Sequence, residues 1–298
     1  MEGVNPNIGV AIAAFERPNS TIAAVESVLA NGCSPHSVVV ADGGSSSQTV
    51  STIRGRFPSI RLITSERPRW WAEAMNVALR TLLLDGVPQV LFLNQDCDPL
   101  PGCLEHLRGT LARGAQVAAS AVVIRETPDV LLDAGARWRR HHRVPFVRIV
   151  EPLYPKGTHV RELPSEPYET DFVTGRGVLF ASDVLLSHGL LDAQAFPQRG
   201  GDDDLSLRLR GAGVRLRVAP RALTATGEAD CGAERASGDF LRDVAFRMFD
   251  PRGGSVASVA WKQCLRYCST AELMPTYLHR LFTAAVAAWR LHASSSRP

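Results

Sequence analysis

The chain has 298 residues, of which 45% are hydrophobic and 21% charged, the balance of a globular protein long enough to bury a sizeable core. A formal net charge of +3 is too mild for nucleic-acid binding, which shows itself as a strong basic stripe, but it suits a small polyanionic ligand. Residues 1–7 carry no basic-then-apolar leader and no run of about 18 apolar residues offers a membrane span. The six cysteines form no CxxC pair and are expected to be reduced thiols, which points to the cytoplasm.

In chain order, residues 8–15 form a continuous apolar run ended by Glu16-Arg17-Pro18, as expected of a strand buried on both faces. Asn19 or Ser20 can cap the helix that follows, with Ile22, Val25, Val28 and Leu29 at helical spacing. A second strand at 38–41 runs into the turn signal Asp42-Gly43-Gly44-Ser45-Ser46-Ser47. Next come a helix at 48–57, a strand at 60–64, a helix at 71–84 and a strand at 90–93. This alternation predicts an α/β fold with a doubly wound, mostly parallel central sheet flanked by helices. Ligands bind such sheets beyond the carboxyl ends of the strands, and the polar clusters at 16–17, 42–47 and 94–98 fall there.

The second half is less regular. A strand is expected at 115–123, a basic stretch with two histidines at 137–143, and a proline-rich loop at 147–167. A Gly-interrupted strand at 172–181 leads to a helix at 182–188. A helix at 202–212 opens on three acids, and a short strand follows at 214–218. From residue 240 the chain reads as helix, a Gly-rich break at 252–254, and helix again, with a disordered tail from Ser294. The expected division is an α/β domain at 1–230 and a helical extension at 231–298 packed on it.

Three clusters carry chemistry. Asn94-Gln95-Asp96-Cys97-Asp98 ends a buried strand with carboxylates at alternate positions, hard oxygen ligands of the kind Mg²⁺ or Mn²⁺ takes. A solvated turn would look the same. Asp42 ends another strand, and its glycines allow close backbone approach to a ligand, although an ordinary strand-to-helix turn also fits. Gly201-Asp202-Asp203-Asp204-Leu205 places more acids at a helix start than capping needs. Their mutual repulsion should raise at least one proton affinity, as a general base requires. Asp204 is expected to face the core.

Taken together, these segments resemble the family 2 glycosyltransferases, of GT-A fold, over roughly residues 7–230, and within them a rhamnosyltransferase-like branch. The resemblance lies in the opening strand, Asp42-Gly43-Gly44-Ser45, the segment from Trp70 to Asn76, Leu93-Asn94-Gln95-Asp96, Val173-Thr174-Gly175-Arg176-Gly177, and Gly201 to Arg208. It implies an inverting transfer of a hexose from a dTDP-, UDP- or GDP-linked donor to an acceptor hydroxyl. In that reading Asp202, with Asp203 beside it, is the base. Ala14, Glu16, Asp42, Gly44, Trp71, Asn76, Asn94, Gln95, Gly175 and Arg176 hold the nucleotide sugar, with Asp42 on the base. Asp96, with Asp98 as a second acid, ligates Mg²⁺ or Mn²⁺.

Two positions depart from the family pattern. Asn94 stands where the first metal-binding acid is usual, and Pro220-Arg221-Ala222 is followed by Thr224 and Thr226 rather than a histidine. A sugar nucleotidyltransferase is a competing reading, but 14–18 lacks the Gly-rich basic loop of that class. A catalytically impaired nucleotide-sugar-binding protein is another. Residues 231–298 carry nine Arg or Lys against five acids, interleaved with Phe240, Leu241, Val244, Phe246 and Phe249. Packing on the catalytic domain accounts for them, and peripheral contact with the inner face of a membrane is the second option. Acceptor and oligomeric state are not legible.

Overall fold

The computed structural model describes residues 8–227, 240–250 and 255–295, with side chains to 290. β1 (Ile8–Ala14) is buried at every position, as its unbroken apolar sequence requires. α1 (Pro18–Ala30) follows, but neither Asn19 nor Ser20 caps it. Arg17 occupies the cap in a left-handed conformation, and Pro18, whose missing N–H costs nothing there, opens the first turn. β2 (Val38–Asp42), α2 (Ser47–Arg56), β3 (Arg61–Ile63), α3 (Trp71–Leu84) and β4 (Gln89–Asn94) complete the first half. Ala72, Met75, Leu79 and Leu82 make the buried stripe of α3, at the 3.6-residue spacing that seats a helix on a sheet.

Past β4 come β5 (Cys97–Pro99), α4 (Cys103–Ala112), β6 (Val117–Ile124), β7 (Thr127–Asp133), β8 (Ala136–Arg140), β9 (Arg148–Pro152) and β10 (Tyr168–Glu169). Then come β11 (Arg176–Ala181), α5 (Ser182–His188), α6 (Gly201–Gly211) and β12 (Leu216–Thr226). The strand order is β10-β12-β6-β11-β4-β1-β2-β3, with β5 on β12 and β7 on β6. The sheet is parallel across β3-β2-β1-β4, as expected. Beyond that it is mixed, because β11 runs antiparallel between β4 and β6. An apolar run has the same signature in either direction, so this reversal is invisible to periodicity. Along β1, Val10 and Ile12 join the core on one face and Ala11 and Ala13 the core on the other, which is the doubly wound arrangement.

The basic stretch at 137–143 is loop only at its end, His141 to Arg143. It is largely β8, paired antiparallel with β9, and so the Pro-rich loop is also partly strand. Arg137 and Arg210 pair with the buried Asp171, while Arg140 and Arg148 pair with the buried Glu272. His141 stacks on His142 and abuts His279.

α7 (Phe240–Phe249), α8 (Val256–Tyr267) and α9 (Thr270–Ser295) follow, α9 reaching past the expected start of a disordered tail. These helices are tied to the sheet domain by side chains. Lys262 donates to the Ala195 carbonyl, Arg266 pairs with Asp192 and Asp204, and Glu272 receives Arg140. They leave Phe249, Leu265, Phe282 and Trp289 exposed. The expected boundary at 230 and the Gly-rich break at 252–254 lie outside the described residues. Among the described cysteines, 33, 97, 103, 264 and 268 are free thiols, and Cys231 lies outside. No helix among the described residues is long and apolar enough to cross a membrane.

Candidate active site

A cleft of ≈ 1030 Å³ opens at the carboxyl ends of β1, β2 and β4, between the sheet rim, α6 and the C-terminal helices. Its first wall is built by a strained turn. Glu16 and Arg17 both have positive φ (47° and 51°), which costs ~1–3 kcal/mol for each non-glycine residue. The strain is held by hydrogen bonds on both sides. Gln95 accepts from the Phe15 N–H at 2.9 Å and donates to the Phe15 carbonyl at 3.1 Å. The Glu16 carboxylate accepts from the Ser46 N–H and from the Thr49 hydroxyl at 2.7 and 2.6 Å. Those bonds from Thr49 and Ser46 hold the Glu16 carboxyl below the usual carboxylate range. The turn brings Arg17 to 3.6 Å from Asp96.

Asp42, at the end of β2, is buried and faces its own turn. Its carboxylate accepts from the N–H groups of Gly44 and Ser45 and from the Ser45 hydroxyl. The turn's glycines come close to the loop before α3, since Arg69 donates its N–H to the Gly43 carbonyl at 2.9 Å.

The central wall joins β4, β11 and α3. Asn94 donates its N–H to the Gly175 carbonyl at 2.8 Å, and its Oδ1 accepts from Trp71 Nε1 at 2.9 Å. Trp71 stacks on Phe92 at 5.7 Å, so it is partly core, whereas Trp70 is the more exposed of the pair. Gly175 is required by crowding: a Cβ there would lie 2.9 Å from Asn94 Oδ1 and 3.0 Å from the Trp71 ring.

The third wall is the first turn of α6. Gly200, at φ 80°, occupies its N-cap position. Asp202 Oδ2 accepts from the Gly175 N–H at 3.3 Å, and Oδ1 from the Asp203 N–H at 3.1 Å. Burial raises the Asp202 pKa against those bonds and the charge of Arg176. Asp203 is pushed up to about 7 by burial and then by the Asp202 charge, with Arg280 and Gln263 opposing. Asp204 is fully buried, as expected, and accepts from Arg208, Arg266 and the Tyr267 hydroxyl.

The cleft therefore brings together Ala14, Trp71, Asn94, Gln95, Asp96, Gly175, Arg176, Asp202 and Asp203. Five expected residues do not line it. Glu16 and Asp42 spend their carboxylates on the turn, and Gly44 serves that turn's left-handed bend. Asn76 is buried on α3, where its side chain donates to the Leu191 carbonyl at 2.8 Å and accepts from the Leu191 N–H at 3.1 Å. Asp98 lies past the turn at 95–96, which breaks the alternation expected of one continuous strand. It sits on β5, and its carboxylate accepts from Arg125 at 2.9 Å. Four lining arginines escaped notice: Arg69, Arg199, Arg247 and Arg280. Arg69 and Arg199 stand just before the motifs at 70–76 and 201–208, while Arg247 and Arg280 are far from any motif in sequence.

A family model described as Glycosyl transferase family 2 matches residues 9–186. The chain belongs to glycosyl transferase family 2. No curated protein matches it significantly in sequence. Solved structures with a similar fold include GalNAc-T7 with UDP, GalNAc and Mn²⁺, at TM-score 0.59 and 15% identity, covering 100% of this chain and 59% of that one. Another is the mannosyltransferase PcManGT from Pyrobaculum calidifontis with GDP-Man and Mn²⁺, at TM-score 0.57 and 16% identity, covering 98% and 76%. The chain thus spans about three fifths of the first and three quarters of the second. The fold is the expected GT-A fold.

The residues of this family 2 chain fit a resident divalent cation poorly. Asp96 is the one carboxylate at the strand end that faces the cleft, and it is paired with Arg17. Asn94, which stands in place of the usual first acid, receives the Trp71 indole on its Oδ1, and the expected second acid Asp98 receives Arg125. Thr224 and Thr226, which follow Pro220-Arg221-Ala222 where a histidine is usual, are both buried on β12. Among the described residues, no three His, Cys, Asp or Glu side chains are grouped to hold a metal.

Proposed function

We propose that this protein transfers a hexose from a nucleotide diphosphate sugar to an acceptor hydroxyl, with inversion at the anomeric carbon. One observation carries the reading: a single cleft gathers the polar ends of β1 and β4, the Gly175-Arg176 segment and the paired acids of α6. The pocket is large enough for a nucleotide sugar, and a rim of Trp70, Ala14 and Gly43 offers the flat, close-approach surface that a base and ribose need.

In this reading Asp202 takes the proton of the acceptor hydroxyl as its oxygen attacks the anomeric carbon. The bond from that carbon to the diphosphate oxygen breaks, and the nucleoside diphosphate leaves. The Gly175 and Asp203 amides fix the direction of the Asp202 carboxylate. Burial keeps its proton affinity high enough to accept the proton, and Asp203, beside it, keeps the pair from ionising together at low pH. The helical segment at 231–298 acts as an extension that completes the cleft through Arg247, Val259 and Arg280.

The test is calorimetric titration with UDP-, GDP- and dTDP-hexoses, followed by an assay of nucleoside diphosphate release. Asp202→Asn should bind the donor within about threefold of wild type and lose ~10²-fold or more in turnover. A protein that binds none of the three, or an Asp202→Asn variant with wild-type turnover, would overturn the assignment.

A further inference from the structure

We infer that the donor's diphosphate is neutralised by the arginines of this cleft and not by a divalent cation; the inference rests on the nucleotide-sugar reading above. Six arginines line the cleft, Arg17, Arg69, Arg176, Arg199, Arg247 and Arg280, against three acids, Asp96, Asp202 and Asp203. The acids do not cancel them. Asp203, pushed up to about 7, is only partly ionised near neutral pH. Asp202 stands as the base, and Asp96 is matched by Arg17.

The arginines are also placed for the task. Arg17 is aimed by its two-residue strained turn at the very acid that would otherwise receive a metal. Arg69 is pinned through its backbone beside the Gly43 turn. Its nearest acid is Glu73 at 3.8 Å, which Arg67 also claims, and its Nε and Nη1 make no hydrogen bond. Arg176 lines the cleft from β11, in register with Leu93 at the end of β4, and its charge favours the ionised form of Asp202. A guanidinium offers planar, charge-assisted donors matched to phosphate oxygens and keeps its charge throughout the reaction. Such a field repels a dication and attracts the negative charge that develops on the departing diphosphate.

The discriminating residue is Asp96. If it were a metal ligand, its loss would abolish diphosphate binding. As the competitor of the diphosphate for Arg17, its loss should tighten binding. The experiment titrates UDP, GDP and dTDP into the full chain in excess EDTA and again in excess Mn²⁺, for wild type, Asp96→Asn, Arg17→Gln and Arg176→Gln. At least one diphosphate should bind in EDTA within about threefold of its affinity in Mn²⁺. Asp96→Asn should bind it more tightly, and each arginine variant about tenfold or more weakly. Binding that needs Mn²⁺, or that Asp96→Asn abolishes in a folded protein, overturns the inference and leaves the nucleotide-sugar reading standing. The wild-type comparison decides the matter even if a variant fails to fold. If no diphosphate binds in either buffer, both fall.

Discussion

Asp203 offers the sharpest physical test, because its environment penalises its charge. Its carboxyl is moved from 3.8 to about 7 by burial and by Asp202. About three units at 1.36 kcal/mol each set a ceiling of about 4 kcal/mol on that penalty. Access to the cleft and the opposing charge of Arg280 trim it, and we expect about 1–2 kcal/mol. A folded-state pKa above the unfolded value means that the fold binds the proton more tightly. The penalty is therefore absent below about pH 4, grows as pH rises through about 7, and is constant above it. Asp203→Asn removes it. The variant should melt with wild type at pH 4 and about 2–8 °C above it at pH 8, at roughly 2–4 °C per kcal/mol for a chain of this order of size. The acidic limb of turnover should stay where it is, since Asp202 ionises beside an Asp203 that is still neutral. Thermal melts across pH 4–8 read the first effect. A variant that is no more stable than wild type at pH 8, or whose gain does not grow with pH, would refute the reasoning.

Three further substitutions test the architecture. Asp204→Ala removes the buried carboxylate that Arg208, Arg266 and the Tyr267 hydroxyl share and should cost ~1–3 kcal/mol in denaturant unfolding. Asn76→Ala leaves the Leu191 N–H and carbonyl unpaired and should cost ~2–4 kcal/mol, while the folded fraction titrates with donor as wild type does; lost donor affinity would return Asn76 to the cleft. Gly175→Ala drives a methyl group against Asn94 and the Trp71 ring. Donor affinity should fall about tenfold in calorimetry, with a stability cost of ~1–3 kcal/mol.

The first half of the fold was legible because its signals are local. The stripe of α3 fixes Trp71–Leu84, and the unbroken run of β1 fixes a strand covered on both faces. Where the signal was weaker, pieces went missing. β12 was read as a short strand ending before Pro220, yet it runs to Thr226, because the proline falls at a break in register between Ala219 and Leu223, where a missing N–H is tolerated. β8 was hidden because its arginines look like a solvated run. Nothing in the local sequence announces that Asp171 and Glu272 are their buried partners. Residue types in the site were legible, but their orientation was not. Asp96 and Asp98 are alike on paper, and a two-residue turn sends one to the cleft and the other to Arg125.

The three consecutive acids of α6 show why the C-terminal helices belong to the chemistry of the cleft. Successive helical residues are rotated by about 100°, so neighbours in sequence meet different surroundings. Asp202 meets β11 through the Gly175 N–H, and Asp204 is buried against Arg266 and Tyr267 of α8. Asp203 lies between these two directions, and the groups that moderate its charge, Gln263 and Arg280, come from α8 and α9. Arg280 is itself held by Gln263 at 2.6 Å. The same helices thus anchor the first turn of α6 through Asp204 and set the proton affinity of the acid next to the base. A change in how α8 and α9 pack would reach Asp202 through Asp203 even though neither helix contacts the base directly in the hydrogen bonds described.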